Sequence, residues 1–221
     1  MRVLVVAPHP DDEVLGVGGT SARFADEGHS VTVVVVTKGE PELFDPQLIE
    51  RGRQEARLAH SYLGVKDTVF LDFPAARLDQ VPHHTLNRAI LEVLQEKQPD
   101  IVFVPFLGDV HLDHRLVFDS TMVAVRPTGD IQVKEVYAYE TLSETNWNAS
   151  QGIYPAFDPD LYICVDDYLG RKLEAMRTYS SQLRQFPHER SLEAIEVLAK
   201  RRGTAVGVNA AEAFITIRRL I

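Results

Sequence analysis

The run Val31-Thr32-Val33-Val34-Val35-Val36 offers apolar side chains to both faces of a strand, so it belongs inside a sheet that is covered on both sides. Stretches with helical periodicity flank it, one over about residues 15–28 that closes at Gly28. The other covers about 46–63, carries Leu48, Arg51, Glu55, Leu58, Ala59 and Tyr62, and closes at Gly64. Further strand-like runs lie at residues 2–7, 69–71 and 101–104, with a helix expected over 83–97. This alternation predicts an α/β, Rossmann-like fold with a mostly parallel sheet and helices on both faces. In the common strand order 3-2-1-4-5-6 the first and fourth strands are neighbours, and a crevice opens between their C-terminal ends. The active site is therefore expected at the C-terminal ends of strands 1 and 4.

The pattern loosens after residue 115. A helix is expected near 115–125, a strand at 133–139, and a polar segment from Thr141 to Pro159 that contains Trp147, Tyr154 and Phe157. A strand at 161–165 and helices over about 167–182 and 190–201 follow, while Phe214-Ile215-Thr216-Ile217 alternates too weakly to assign. No shift in composition marks a linker, so residues 1–221 are read as one domain.

Charge narrows the partners. A formal net charge of −9 argues against a nucleic-acid groove or an anionic membrane surface, and favours a small molecule. No stretch reaches the length of a membrane span, and the residues ahead of the first strand lack the regions of a signal peptide. Integral membrane association is therefore not expected, and a cytoplasmic location is. The single cysteine, Cys164, excludes an intrachain disulfide and reads as a core residue. The sequence leaves the oligomeric state open, a homo-oligomer included.

The chemistry is concentrated in two clusters, Pro8-His9-Pro10-Asp11-Asp12-Glu13 and Gly108-Asp109-Val110-His111-Leu112-Asp113-His114-Arg115. They follow the first and fourth strands, so residues about a hundred positions apart could converge on one ion. Imidazole nitrogen and carboxylate oxygen suit a divalent metal such as zinc, which in catalytic sites takes three protein ligands and keeps one position open. More candidates are present than three, and the surplus fits a site where a base, an acid and an orienting carboxylate accompany the metal. The clusters thus point to a metal-dependent hydrolase. His29, His60, His83, His84 and His188 lie outside them and are expected to be solvated. Gly16-Val17-Gly18-Gly19 is not a dinucleotide loop, because Ser21 stands where the third glycine belongs and acidic residues stand where a pyrophosphate would need positive potential. Its small residues are expected to let the first helix pack closely on the sheet.

His9-Pro10-Asp11-Asp12-Glu13 and His111-Leu112-Asp113-His114 resemble the two signature motifs of the PIG-L/LmbE family of metal-dependent N-acetylglucosaminyl deacetylases. Similar to further family motifs are Gly18-Gly19-Thr20, Thr37-Lys38-Gly39-Glu40, Leu63-Gly64-Val65, Tyr179-Ser180-Ser181-Gln182, and Arg202-Gly203 with Ala211-Glu212-Ala213-Phe214. The resemblance implies that His9, Asp12 and His114 bind Zn2+, with Fe2+ as another ion that such ligands suit. It implies Asp11 as the general base toward the attacking water. His111 would stabilise the oxyanion and protonate the leaving amine, and Asp113 would hold His111 and raise its pKa. An arginine is expected to meet substrate from the second helix, but Gly52 stands at its position, leaving Arg51 or Arg53; Asp109 is a third candidate, read as a substrate contact, a brace for His111 or a metal ligand, or a turn residue. The implied reaction removes the acetyl group from an N-acetylglucosamine-type sugar or glycoside. The alternatives are hydrolysis of a non-sugar amide or ester, or a noncatalytic Rossmann-like protein that binds nucleotide or metal. Trp147, Tyr154 and Phe157 would either wall a sugar site or pack their own loop down.

Overall fold

A computed structural model describes residues 1–128, 131–148 and 153–221. Its elements in chain order are β1 (Arg2–Ala7), α1 (Asp12–Asp26), β2 (Ser30–Lys38), α2 (Pro46–Leu63), β3 (Asp67–Pro74), α3 (His83–Lys97), β4 (Ile101–Pro105), α4 (Leu112–Ala124), β5 (Glu135–Tyr139), β6 (Leu161–Cys164), α5 (Leu169–Thr178), α6 (Leu192–Thr204) and β7 (Ala211–Arg219). The strands form one sheet in the order β3-β2-β1-β4-β5-β7-β6, parallel from β3 to β5.

Strand alternation divides the core in two. Leu4, Val6, Val34, Val102 and Val104 face α3 and α4, which bring Leu86, Ile90, Leu94 and Val117 to that side. Val3, Val5, Val31, Val33 and Phe103 face the other way, onto Val17 of α1. There α1 packs with α2 and α5 around Ala56, Ala59, Met176 and Tyr179. Gly16 and Gly19 make the close approach of α1 to the sheet possible: a Cβ on Gly16 would overlap the Tyr139 ring, and one on Gly19 would sit 2.9 Å from Val165 Cγ1. The expected role of the glycine run as a packing surface is what the structure shows.

Local signals set the helix ends where they are strong. The Asp45 side chain accepts the Gln47 N–H at 2.8 Å and Pro46 opens α2, while Gly64 closes it at φ 73°. Elsewhere the expectations need correction. The expected strand order, 3-2-1-4-5-6, is interrupted, because β7 inserts antiparallel between β5 and β6. The weakly alternating Phe214–Ile217 run is therefore an interior strand, with Phe214 fully buried. β6 forms the sheet edge, so Cys164 is half-buried rather than in the core. His60, expected in solvent, is buried on α2. Helices α1 and α4 begin at Asp12 and Leu112, about three residues ahead of expectation, so each cluster runs from a strand-end loop into a first helical turn. Among the described residues no helix is long and apolar enough to cross a membrane.

Candidate active site

β1 and β4 are hydrogen-bonded neighbours, with Leu4 opposite Val102, and α1 and α4 leave their C-terminal ends side by side. Between β1 and α1 the chain turns sharply. Asp11 takes φ 111°, a left-handed conformation costly for a residue with a Cβ, and the Asp12 carboxylate folds back to accept the His9 N–H at 2.9 Å. Thr37, at the end of β2, pins the turn by donating its Oγ1–H to the Pro8 carbonyl at 2.8 Å. Asp12 and Glu13 then occupy the first turn of α1, where negative charge meets the positive end of the helix dipole.

The second cluster is organised by a cap. His111 precedes α4 in an extended conformation, and its Nδ1 accepts the Asp113 main-chain N–H at 3.1 Å. With Nδ1 used as an acceptor, the neutral ring carries its proton on Nε2. The Asp113 carboxylate does not hold His111 as expected. It lies 3.0 Å from His9 Nε2 and accepts the Ala76 N–H at 2.7 Å, so Asp113 orients His111 through its main chain instead. The His111 pKa correspondingly goes down, to about 4, because burial and the nearby charge of His9 outweigh Asp113.

Two groups of side chains bring possible ligand atoms within 4.8 Å of one another: His9, Asp12 and His114, and His9, His111 and Asp113. The first group fits a metal better. His114 gives its Nδ1 to Asp109 Oδ2 at 2.8 Å, which aims Nε2 at Asp12 Oδ2, 3.2 Å away. Asp12 Oδ1 and His114 Nε2 are both buried without a hydrogen-bond partner among the described residues. A lone pair facing a carboxylate in a dry site calls for positive charge between them. The same demand shows in the side-chain equilibria. Burial disfavours the charged form of His114, yet the Asp12 and Asp109 carboxylates raise its pKa to about 10. His9 is likewise raised to about 9 by Asp113 and Asp12, against its burial. In the second group, by contrast, the Ala76 N–H already satisfies the carboxylate.

Asp11 is buried, and burial together with the adjacent Asp12 and Glu13 pushes its pKa up to about 8, although Arg190 pulls the other way. Arg190 Nη1 lies 3.2 Å from Asp11 Oδ2, and its Nε donates to Ser143 Oγ at 3.0 Å. Glu13 supports Asp11 from beneath: its Oε2 accepts the Asp11 N–H at 3.2 Å, while Oε1 meets Tyr179 Oη at 2.5 Å and His60 Nε2 at 3.1 Å. Arg190 and His60 were not foreseen. Each acts on residues distant in sequence, and nothing local marks it.

His9, Asp11 and His111 open into a cavity of about 340 Å³. Of the expected substrate contacts, Arg53 lines this cavity, whereas Arg51 is tied to Glu55 and Ser180 on the outer surface of α2. Asp109 does not reach it: fully buried, it braces His114 and accepts Thr145 Oγ1–H at 2.6 Å. Tyr154 packs on Arg115 and Phe157 on Phe106, so both hold their loop down. Trp147 is 66% exposed and donates to Glu189. Residues 149–152 of the expected 141–159 segment lie outside the described residues.

Known proteins share the fold and part of the sequence. The family profile described as PIG-L, GlcNAc-PI de-N-acetylase, matches residues 4–125, just over half of the 221-residue chain. The diacetylchitobiose deacetylase of Thermococcus kodakarensis is 29% identical over 196 residues, covering 85% of this chain and 71% of that protein. Among solved structures, the conserved protein TT1542 of Thermus thermophilus is 27% identical with a TM-score of 0.79, covering 99% of this chain and 96% of the other. The same fold also carries a different chemistry: the 4-carboxy-2-hydroxymuconate hydratase GalB of Pseudomonas putida is 22% identical with a TM-score of 0.77, covering 100% of this chain and 97% of the other. The family match spans both His-Asp clusters and the strands that bring them together, so this chain belongs to the PIG-L family and is an enzyme of that deacetylase family.

Proposed function

We propose that the chain, as one domain over residues 1–221, is a metal-dependent hydrolase that removes the acetyl group from an N-acetylglucosamine-type sugar or glycoside. The observation that carries this reading is the pair of buried, unsatisfied atoms Asp12 Oδ1 and His114 Nε2 beside a cavity onto which Asp11 and His111 open. His9, Asp12 and His114 would hold the ion, zinc by preference and ferrous iron as the other candidate. Such an ion, when bound, acts as a Lewis acid on an amide carbonyl and brings the pKa of water to about 7.

The protein groups divide the remaining work. Asp11 accepts the proton of the attacking water, and the left-handed turn that Glu13 secures aims its carboxylate into the cavity. His111 presents Nε2–H to the carbonyl oxygen as negative charge develops there; because its Nδ1 already accepts the Asp113 N–H, the neutral ring keeps that proton, and Asp11 passes the proton it took from the water to the departing amine. Asp109 fixes the ring of His114, and Asp113 sets the tautomer of His111 through its N–H. Arg53, which lines the cavity, would meet the sugar or its aglycone. The products are acetate and a free amine.

Amine release from a panel of N-acetyl sugars and glycosides, before and after chelation and zinc restoration, tests the proposal. Chelator-sensitive release restored by zinc is expected. Release from simple amides or esters but not from any N-acetyl sugar would replace the substrate class and keep the metal chemistry. Protein that holds zinc and hydrolyses nothing would sink the reading.

A further inference from the structure

The cavity is cationic on an acidic protein. Lys38, Arg53, Arg184 and Arg190 line it, together with one carboxylate, Asp11, although the chain as a whole has 23 Lys and Arg against 32 Asp and Glu. Two of these cations are already engaged. Arg190 pairs with Asp11 and Glu144, and Arg53 pairs with Asp72 and lies over the Phe70 ring. The other two are not. Lys38 is exposed at the end of β2, and its ammonium has no hydrogen-bond or ion-pair partner among the described residues. The Arg184 guanidinium, in the segment after α5, donates only to the main-chain carbonyls of Ser181 and Leu183, at 2.9 and 3.0 Å, and meets no carboxylate among the described residues.

We infer that the substrate carries an anionic group, a carboxylate or a phosphate, which Lys38 and Arg184 hold at this cavity. This inference rests on the deacetylase reading for the rest of the molecule and places the charge on the part beyond the acetamide. Two cations left free on separate elements of a net-acidic protein set up a local positive field, and apolar walls such as Phe44 and Ile49 keep that field from being screened as it would be on an open surface. The guanidinium fork matches the oxygens of a carboxylate or phosphate, and the ammonium adds a point charge. A neutral sugar would instead call for acceptors. The cavity supplies one carboxylate, already shared with Arg190, one side-chain amide, Gln182, and the hydroxyls of Thr37, Tyr179 and Ser181, which already donate to Pro8, Glu13 and Glu55.

Isothermal titration of inorganic phosphate and of malonate into the zinc-loaded protein, and into the K38Q/R184Q variant, tests the inference. At least one anion is expected to bind about tenfold more weakly to the variant, and K38R/R184K is expected to retain binding. Equal affinity in wild type and K38Q/R184Q would overturn it. A second arm compares amine release from methyl N-acetylglucosaminide, its carboxymethyl analogue and N-acetylglucosamine 1-phosphate. A charged substrate is expected to have about tenfold higher kcat/KM, through KM, with that preference lost in K38Q/R184Q. The favoured substrate identifies the anion as carboxylate or phosphate, while preference for the neutral glycoside overturns the inference. Anion binding that depends on Lys38 and Arg184, without amine release from any of the three, would support the inference and count against deacetylation alone.

Discussion

Arg190 Nη1 lies 3.2 Å from Asp11 Oδ2 although the two residues are 179 positions apart in the chain. Asp11, Asp12 and Glu13 form three consecutive buried carboxyl groups, and this guanidinium is the charge that opposes the rise in the Asp11 pKa that burial and its two neighbours cause. It also joins Ser143 and Gln182 to the site. Arg190→Gln is expected to lower kcat/KM at least about tenfold, equivalent to about 1.4 kcal/mol, mainly through kcat. Metal content, read by elemental analysis, should not change. Arg190→Lys should recover only part of the loss, because an ammonium keeps the charge but cannot span the same partners. Full activity in Arg190→Gln would remove Arg190 from the site.

Metal retention and turnover should separate between adjacent residues. His114→Ala removes a nitrogen whose ring Asp109 already orients, and is expected to abolish retention of zinc through gel filtration. Asp11→Asn leaves the His9, Asp12 and His114 group intact and is expected to keep zinc while losing about 100-fold or more in kcat. Equal metal loss in the two variants would reverse the roles assigned to Asp11 and His114.

How much of this was legible in the sequence depended on how local the deciding interaction is. The bounds of α2 and α3 follow from periodicity and capping, as with Asp45-Pro46 and Gly64 at the ends of α2. The starts of α1 and α4 were less visible because polar site residues, Asp12, Glu13 and Asp113, stand where periodicity looks for apolar ones. The convergence of the two clusters was readable, since it needs only that strands 1 and 4 be neighbours. The insertion of β7 was not, because its pairing partners β5 and β6 are set by tertiary contact. His60 was misplaced for a similar reason. A helical histidine gives no hint that Glu13 and Thr68 will enclose it.

Glu13 should matter to rate as well as to stability. Its two oxygens receive Asp11 N–H, Tyr179 Oη–H and His60 Nε2, so it connects the strained Asp11 turn to α2 and to the end of α5. Glu13→Gln keeps the shape but puts a donor where an acceptor is needed, and is expected to cost about 1–3 kcal/mol of stability. A fall in kcat of about tenfold with metal content and KM preserved is expected, as for a residue that positions Asp11 without touching substrate. Loss of stability with unchanged kcat in the folded fraction would make Glu13 purely structural.

The middle of α1 is held by a buried ion pair. Lys172 Nζ donates to Glu212 Oε1 at 2.6 Å and to the Leu15 carbonyl at 2.8 Å, while Glu212 accepts the Gly19 and Thr20 N–H groups at 2.9 and 2.7 Å. Gly18 leaves room for the Lys172 stem, since a Cβ there would stand 3.1 Å from Lys172 Cγ. Removing one partner strands a charge in the core, so Lys172→Met should destabilise by about 3–5 kcal/mol. For a chain of this size that lowers Tm by roughly 10 °C. Glu212→Gln removes the opposite charge but can still accept a main-chain N–H, and should cost less. The double variant is the decisive one. With neither charge present, Lys172→Met/Glu212→Gln should be less destabilised than the sum of the two single variants, a difference thermal unfolding can read. Additive losses would mean that Lys172 and Glu212 support α1 independently, through Leu15 on one side and Gly19 and Thr20 on the other.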